Sequence, residues 1–422
     1  MINDFQPIST KLITFLKNNE QFFENIVLIA RFKIITLQKG LSFNFHTTIT
    51  EVPEMGWVDN FFLSKQYLQM MESAQPVGMK FKYLTICIEN EVVAFFYFQI
   101  IPFNASNSLQ VKSNNVSHKD AFNSCIKSFF SNFIQFNTLV VGNLTLTGPY
   151  AFQFHPQHLD LKTDHFLNQI IEKAIGFFNK EGENISLILL KDFPFVEKKD
   201  DFYFHKKYFP FCIDPDMNFN LKNNWFNTED YIADFTTKYR TRYNRAKKKL
   251  GNIFRKDLNL SDVIELQESM YQLYLNVAEK ADFNTVYLNN NYFLELKKQL
   301  GEATHFFGYF LEDKLVSFVS MIKVGDKLEA HYIGYEPSIN ADRQIYLNML
   351  YDIVDFGISN GFKKIGFART ASEIKSSVGA TASQYYCYLK HTKPIINRCI
   401  PALFQYFTPV ENWKPRNPFK QV

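Results

Sequence analysis

HFFGYFLEDKLVSFVSMI, residues 305–322, reads as two β-strands joined by a tight turn. His305–Phe310 and Leu315–Ile322 are rich in aromatic and β-branched residues, and Glu312-Asp313 separates them. A matching pattern stands earlier in the chain, where Leu84–Ile88 and Val92–Ile100 flank Glu89-Asn90-Glu91. The chain downstream of each hairpin also repeats. After the first come a strand at Leu139–Leu146, a helix from Asp164 to Lys180, Gly182 and a strand at Ile185–Leu190. After the second come a strand at Leu328–Tyr335, a helix from Ile345 to Asn360, Gly361 and a strand at Lys364–Phe367. One β-β-β-α-β unit is therefore present twice, and a site is expected where the copies meet.

The 422 residues exceed what one hydrophobic core supports. Two domains are expected, over residues 1–222 and 223–422. Residues 1–30 hold a short amphipathic stretch that docks on the first. Pro102–Asn137 is extra chain in the first copy: a polar loop, then a helix over Ala121–Phe136. Lys191–Lys222, with prolines at 194, 210 and 215, ends the first domain and connects to the second. A hydrophobic content of 46% with 21% charged residues suits a folded chain. A net charge of +4 argues against generic polyanion binding but leaves room for a local basic patch.

Cys87, Cys125, Cys212, Cys387 and Cys399 are scattered, without CxxC spacing, and read as free buried thiols of a reducing compartment. No basic-then-apolar leader opens the sequence. The longest apolar run, Val92–Phe98, falls far short of the ~20 residues that span a bilayer. A cytoplasmic protein without a membrane span is the expectation. The sequons at Asn104, Asn115, Asn143 and Asn184 are then chance products of an asparagine-rich chain.

Three stretches carry candidate chemistry. The first is a helix from Asn227 or Thr228 to Gly251. Ile232, Phe235, Tyr239, Tyr243, Ala246 and Leu250 form its apolar stripe, and Lys238, Arg242, Arg245 and Lys249 a basic one beside it. Acids at its start and bases at its end complement the helix dipole. That reading does not require arginine, whose fork suits phosphate or carboxylate, so Arg240, Arg242 and Arg245 are candidate substrate-binding residues. The second is Leu328–Tyr335. Strand alternation places Glu329, His331 and Ile333 on one face and Leu328, Ala330 and Tyr332 on the other. Glu329 and His331 side by side are candidate general bases, against the plain alternative of a half-exposed sheet face. The third is Ala368–Ala380, directly after the last buried strand, where ligands of open sheets gather. Arg369, Glu373 and Lys375 are its candidate substrate-binding residues, against a surface loop with an internal ion pair.

GxSxG, HExxH, P-loop and GxGxxG patterns are absent, and the nine histidines form no metal-type pair, so no metal is expected. The element order of each half resembles the GNAT acyltransferase fold in tandem. FTTKYRTRYNRAKKKL (235–250), VIELQESMYQLYL (263–275), YFLELKKQL (292–300), FFGYFLEDKLVSFVSMI (306–322), HYIGYEPS (331–338) and ARTASEIKSSVGA (368–380) are similar to the acyltransferase family related to Fem-type peptidyltransferases. The likeness covers about residues 225–390; the first half matches in element order and in VGNLTLTGP (141–149). It implies an α+β protein of two tandem GNAT-like domains, each a mixed, mostly antiparallel sheet flanked by helices. It also implies transfer of an acyl group from acyl-CoA, as co-substrate, to a small-molecule or peptidyl amine acceptor.

GNAT proteins usually cradle the donor pyrophosphate on a glycine-containing turn after the fourth strand. Here Pro337–Tyr346 lacks glycine, and Ser338, Asn340 and Arg343 are the candidate anion ligands at a helix N-terminus. Two alternatives remain. One is aminoacyl transfer from aminoacyl-tRNA, with the basic helix on tRNA phosphate. The other is a non-catalytic GNAT-like protein that binds a ligand or partner.

Overall fold

In a computed structural model of the chain, the described residues are 40–103, 136–194, 207–280, 286–407 and 413–420. The amphipathic stretch at 1–30, most of the 102–137 segment with its helix, Cys125, Asn104 and Asn115 lie outside them.

The first unit begins with β1 (Leu41–His46) and α1 (Lys65–Ser73). The hairpin β2 (Lys80–Ile88) and β3 (Glu91–Phe103) comes next, then β4 (Phe136–Val141), β5 (Phe152–Phe154), α2 (Asp164–Lys180) and β6 (Ile185–Pro194). Its turn closes on Glu89 and Asn90, both at positive φ (50° and 71°), which matches the right-handed twist of a two-residue hairpin. Thr163 caps α2 by accepting from the Phe166 N–H, and Gly182 (φ 87°) lets the chain leave it.

The second unit has β9 (Phe254–Asp257), α5 (Leu260–Ala278) and α6 (Tyr292–Leu300). Its hairpin is β10 (Thr304–Leu311) and β11 (Lys314–Val324). After it come β12 (Lys327–Tyr335), α7 (Pro337–Arg343), α8 (Ile345–Ser359) and β13 (Lys364–Gly366). Between the units lie β7 (Phe209–Phe211), β8 (Asp216–Asn220), α3 (Thr228–Ala233) and α4 (Thr237–Leu250). After the second come α9 (Ser372–Ser376), β14 (Thr381–Ser383), β15 (Tyr385–His391) and α10 (Pro394–Phe407).

The strands form two mixed, mostly antiparallel sheets. One runs β1-β2-β3-β4-β6-β15-β7, with β5 also on β3; the other runs β9-β10-β11-β12-β13-β8-β14. The two orders correspond strand for strand. Each has an edge strand, the hairpin, a third strand, and a parallel strand that returns after a helix. Each then takes one antiparallel strand from the other end of the chain. β8 precedes the second unit and pairs with its β13, whereas β15 comes after that unit and pairs with β6 of the first. Sheet membership thus crosses residue 222 in both directions, with residues 216–220 in the second sheet and 385–391 in the first.

Three apolar clusters hold this frame. In the first sheet Phe98, Leu139 and Ile188 pack with Ile170, Ala174 and Phe178 of α2. In the second, Val319, Met321 and Ile365 pack with Leu350 and Val354 of α8. The remaining cluster belongs to both halves: Tyr67, Met71 and Tyr97 of the first lie with Tyr274, Tyr292, Phe293 and Phe318 of the second. Each fully buried side chain of this size contributes ~1.5–3 kcal/mol.

The structure corrects several local expectations. The helix over 227–251 is two helices, α3 and α4. Asn227 does cap the first, and Phe235, Tyr239 and Ala246 of the expected stripe are buried. The break falls at Asp234–Thr236. There Phe235 makes a β-bridge with Phe419, and the Asp234 carboxylate accepts from the Trp225 indole (3.0 Å) and pairs with Lys222. The strand expected at Leu139–Leu146 stops at Val141. Among the described cysteines Cys87 and Cys387 are buried, but Cys212 and Cys399 are exposed. No described helix is long and apolar enough to cross a membrane.

Candidate active site

β12 and β13 run parallel for three pairs only, ending at Glu329↔Gly366. β12 continues to Tyr335, while the chain after Gly366 bends away: the Phe367 N–H donates to Met217 O, and Ala368, Thr370 and Ala371 all have positive φ. From Ala330 onward the β13-side edge of β12 therefore has no strand partner among the described residues. A wedge opens there, with Glu329 at its apex. Gly366 makes room for the carboxylate, since a Cβ at that position would lie 1.9 Å from Glu329 Oε2.

Glu329 forms an ion pair with Lys327 and accepts from the Tyr150 hydroxyl of the first half (3.4 Å). Burial pushes its pKa up, more than Lys327 pulls it down. His331 Nε2 lies 2.8 Å from the Tyr292 hydroxyl, and burial lowers the imidazole pKa to about 3. The ring is neutral near pH 7. A carboxylate with a raised pKa and a neutral imidazole are thus placed along one strand.

The expected alternation of β12 does not hold beyond His331. The register slips between Val319 and Met321, so Ser320 stands opposite a bulge at His331–Tyr332. Its hydroxyl accepts from Tyr332 N (3.0 Å) and donates to Tyr332 O (3.2 Å), satisfying the displaced backbone. Tyr332 consequently joins His331 on the side of α5 and α6, while Ile333 packs with Leu328 and Ala330 against the α8 side.

The corresponding wedge of the first sheet is filled. β4 pairs in parallel with β6 as far as Val141↔Leu190, then leaves as a loop through Tyr150 before β5 resumes pairing with β3. Lys191 Nζ donates to Leu146 O (2.7 Å), and buried Asp192, at φ 62°, accepts from Gly148 N (2.8 Å). Burial alone would raise the Asp192 pKa; Lys191 and Arg369 hold it below its ordinary value. The loop pinned in this way carries Tyr150 to Glu329 and brings Thr145 O to the Tyr332 hydroxyl (3.4 Å).

The other candidates fall into separate places. Arg369 lies at the seam between the halves: Nη2 pairs with Asp192 (2.6 Å) and Nε donates to Asp214 O (2.8 Å). Lys375 is buried, and its Nζ donates to Arg369 O (2.6 Å) and Ala368 O (3.3 Å). Burial lowers its pKa to about 7 although Asp216 and Asp214 oppose the shift. Both cations therefore brace the bend after β13. Glu373 pairs with Arg416 of the C-terminal segment. Arg240 Nη2 donates to Phe235 O (3.2 Å) and Ala233 O (3.3 Å), bracing the α3–α4 break. Arg245 is exposed, while Arg242 is half-buried and shares a cavity with Glu373.

Near the start of α8, Ser338 is exposed, and Arg343 reaches the end of α4, where a Cβ on Gly251 would lie 2.5 Å from its Nη1. Asn340 Oδ1 accepts from Tyr346 N (3.0 Å), which supplies the cap that Gln344 does not. Three participants escaped the sequence reading: Tyr150, Lys327 and Asp192. Lys327, two residues before Glu329 and on the same strand face, was the one with a local signal.

Neither a protein-family model nor a curated protein matches the chain. Among solved structures it is similar to FemX, at 11% identity over 87% of this chain and 99% of that one, TM-score 0.49. It is similar to a tandem GNAT protein from the clavulanic acid biosynthesis pathway, at 8% identity over 84% and 99%, TM-score 0.45. It is also similar to L-PGS from Bacillus licheniformis, at 10% identity over 83% and 99%, TM-score 0.42. With TM-scores below 0.5, these likenesses carry no argument about chemistry. The α+β architecture stands on its own element order: two units with the GNAT-like succession of hairpin, strand, helix and parallel strand.

Proposed function

We propose that the chain is an N-acyltransferase that moves an acyl group from acyl-CoA to a small-molecule or peptidyl amine. The observation that carries this reading is the wedge between β12 and β13, an unpaired strand edge with a partly buried carboxylate at its apex. Backbone groups of Ala330–Tyr335 hold the donor thioester along that edge. Ser338, Asn340 and Arg343 face the donor phosphates beside the α8 N-terminus, Asn340 through the face its cap leaves free. The amine nitrogen attacks the thioester carbonyl, Glu329 takes the proton, and the thiolate leaves. His331 is the second candidate base. Arg369, Lys375 and Glu373 shape the acceptor side, the first two by fixing the bend after β13. Proton transfer contributes typically ~10²–10⁴-fold, and positioning supplies most of the remainder. Two domains, 1–222 and 223–422, exchange one strand each in this reading, and the second supplies the donor wedge.

A second reading, aminoacyl transfer from aminoacyl-tRNA, is favoured by one observation. Lys238, Arg240, Arg245, Lys248 and Lys249 are exposed along α4. The test is a thermal-shift and mass-spectrometry panel with acyl-CoAs and with aminoacyl-tRNA. The first reading expects stabilisation by an acyl-CoA and a mass gain on an acceptor amine. Stabilisation by aminoacyl-tRNA alone would select the second. No response to any donor would leave a binding protein without catalysis.

A further inference from the structure

On the side of the second sheet that carries α4 and α8, away from Glu329, lies a cavity of about 550 Å³. Its lining comes from three parts of the chain: Arg242 of α4, Ala371–Ile374 at the start of α9, and Trp413 and Arg416 of the C-terminal segment. Three of these residues are charged, but only two neutralise each other. Arg416 Nε donates to Glu373 Oε1 (2.9 Å) and its Nη2 bonds the same oxygen. Arg242 makes no hydrogen bond and no ion pair with the described residues, although it is half-buried. Its fork is thus left unengaged at the cavity wall, and a planar guanidinium fork fits two oxygens of one anion. The rest of the wall is Ser372, with Ala371, Ile374 and the Trp413 indole as its apolar part.

The cavity is held open by an independently anchored strap. Phe419 sits among Phe219, Trp225, Tyr231 and Phe235, the Thr236 N–H donates to Pro418 O (2.9 Å), and the Arg416 N–H donates to Ser376 Oγ (3.0 Å). Trp413 and Arg416 are therefore fixed opposite Arg242 before any ligand arrives, which lowers the ordering cost of binding.

We infer that this cavity is a second binding site, for an oxyanion carried on a partly apolar body, with Arg242 as the bidentate anchor and Trp413 as the apolar wall. It requires no acyl donor and makes no use of the wedge, so its failure would leave the acyltransferase reading untouched. The probes are phenyl phosphate, benzoate and inorganic phosphate, titrated into the full chain at about 50 mM salt, where screening is modest. Binding is read by calorimetry and by Trp413 emission, with Trp413→Phe identifying the signal. Phenyl phosphate or benzoate should bind saturably, and inorganic phosphate more weakly. A preference for phenyl phosphate over benzoate marks a phosphate site, the reverse a carboxylate site. Arg242→Gln should weaken binding roughly tenfold or more. Arg242→Lys, which keeps charge and stem but loses the fork, should fall between. Lys298→Gln, exposed on α6, serves as the charge control and should change nothing. Melting temperatures confirm that each variant is folded. The inference is overturned by the absence of saturable binding to wild-type protein, or by equal affinity in the Arg242 variants.

Discussion

At the scale of single residues, the two candidate bases are separable because burial acts on them in opposite directions. Burial disfavours whichever form is charged, so it raises the pKa of Glu329 and lowers that of His331 to about 3. An acid limb in kcat/KM above the ordinary carboxylate range therefore assigns the base to Glu329, and one near pH 3 assigns it to His331. With Glu329 as the base, Glu329→Gln should lower kcat by ~10²–10⁴ with little change in KM and should flatten that limb. Full kcat in the variant, with an identified acceptor, would remove Glu329 from the chemistry. His331 also marks stability. Its folded pKa lies below the unfolded value of 6.5, so the native state binds fewer protons between those values. Stability contributed by the neutral ring is complete above pH 6.5 and is lost as pH falls toward 3. His331→Asn should make the melting temperature less steeply dependent on pH in that window. An unchanged slope would mean that other groups govern the acid loss.

At the scale of elements, the sequence makes legible whatever rests on periodicity and turn chemistry. Asp164–Lys180 has the predicted ends because Thr163 and Gly182 are local signals, and both hairpins close at the anticipated turns. Features that could not be read depend on partners distant in sequence. The break between α3 and α4 needs Phe419, 184 positions away, to pair with Phe235. The bulge in β12 needs Ser320 of the neighbouring strand. Arg369 and Lys375 looked like ligand-binding cations by composition, yet Asp192, Asp214 O and the carbonyls of Ala368 and Arg369 occupy them. The partnered, partly buried placement of Glu329 was legible, because a carboxylate in the middle of a strand must be satisfied when it is buried. The start of α8 gives a test at this scale. Gln344 at its N-cap makes no capping bond, and Asn340 reaches across α7 to Tyr346 N instead. Asn340→Ala should cost about 0.5–2 kcal/mol by denaturant titration, the usual worth of a cap. An unchanged midpoint would mean that water replaces the side chain as the cap.

At the scale of the whole molecule, the exchanged strands decide how the halves relate. β15 lies between β6 and β7, so the first sheet needs a strand from residues 385–391. β8 lies between β13 and β14, so the second needs one from residues 216–220. Removing either leaves an internal gap with unpaired backbone groups, which is costlier than fraying an edge. The shared apolar cluster adds a second tie, with Tyr67 and Met71 of one half against Tyr292 and Phe293 of the other. Two domains joined only by a linker would unfold separately; these should unfold together. Trp57, edge-on to His155, lies in the first half, and Trp225 and Trp413 lie in the second. A variant retaining only Trp57 and one retaining only Trp225 should therefore give coincident urea transitions, both matching far-UV circular dichroism. A chain ending before Tyr385 should lose cooperative unfolding in the first half as well as the deleted strand. Transitions that separate for the two tryptophans, with a stable first half in the truncated chain, would show the exchange to be decoration. Coincidence would make Glu329 and Tyr150 parts of one rigid site, since no rotation of one half against the other can part them without unpairing β8 or β15.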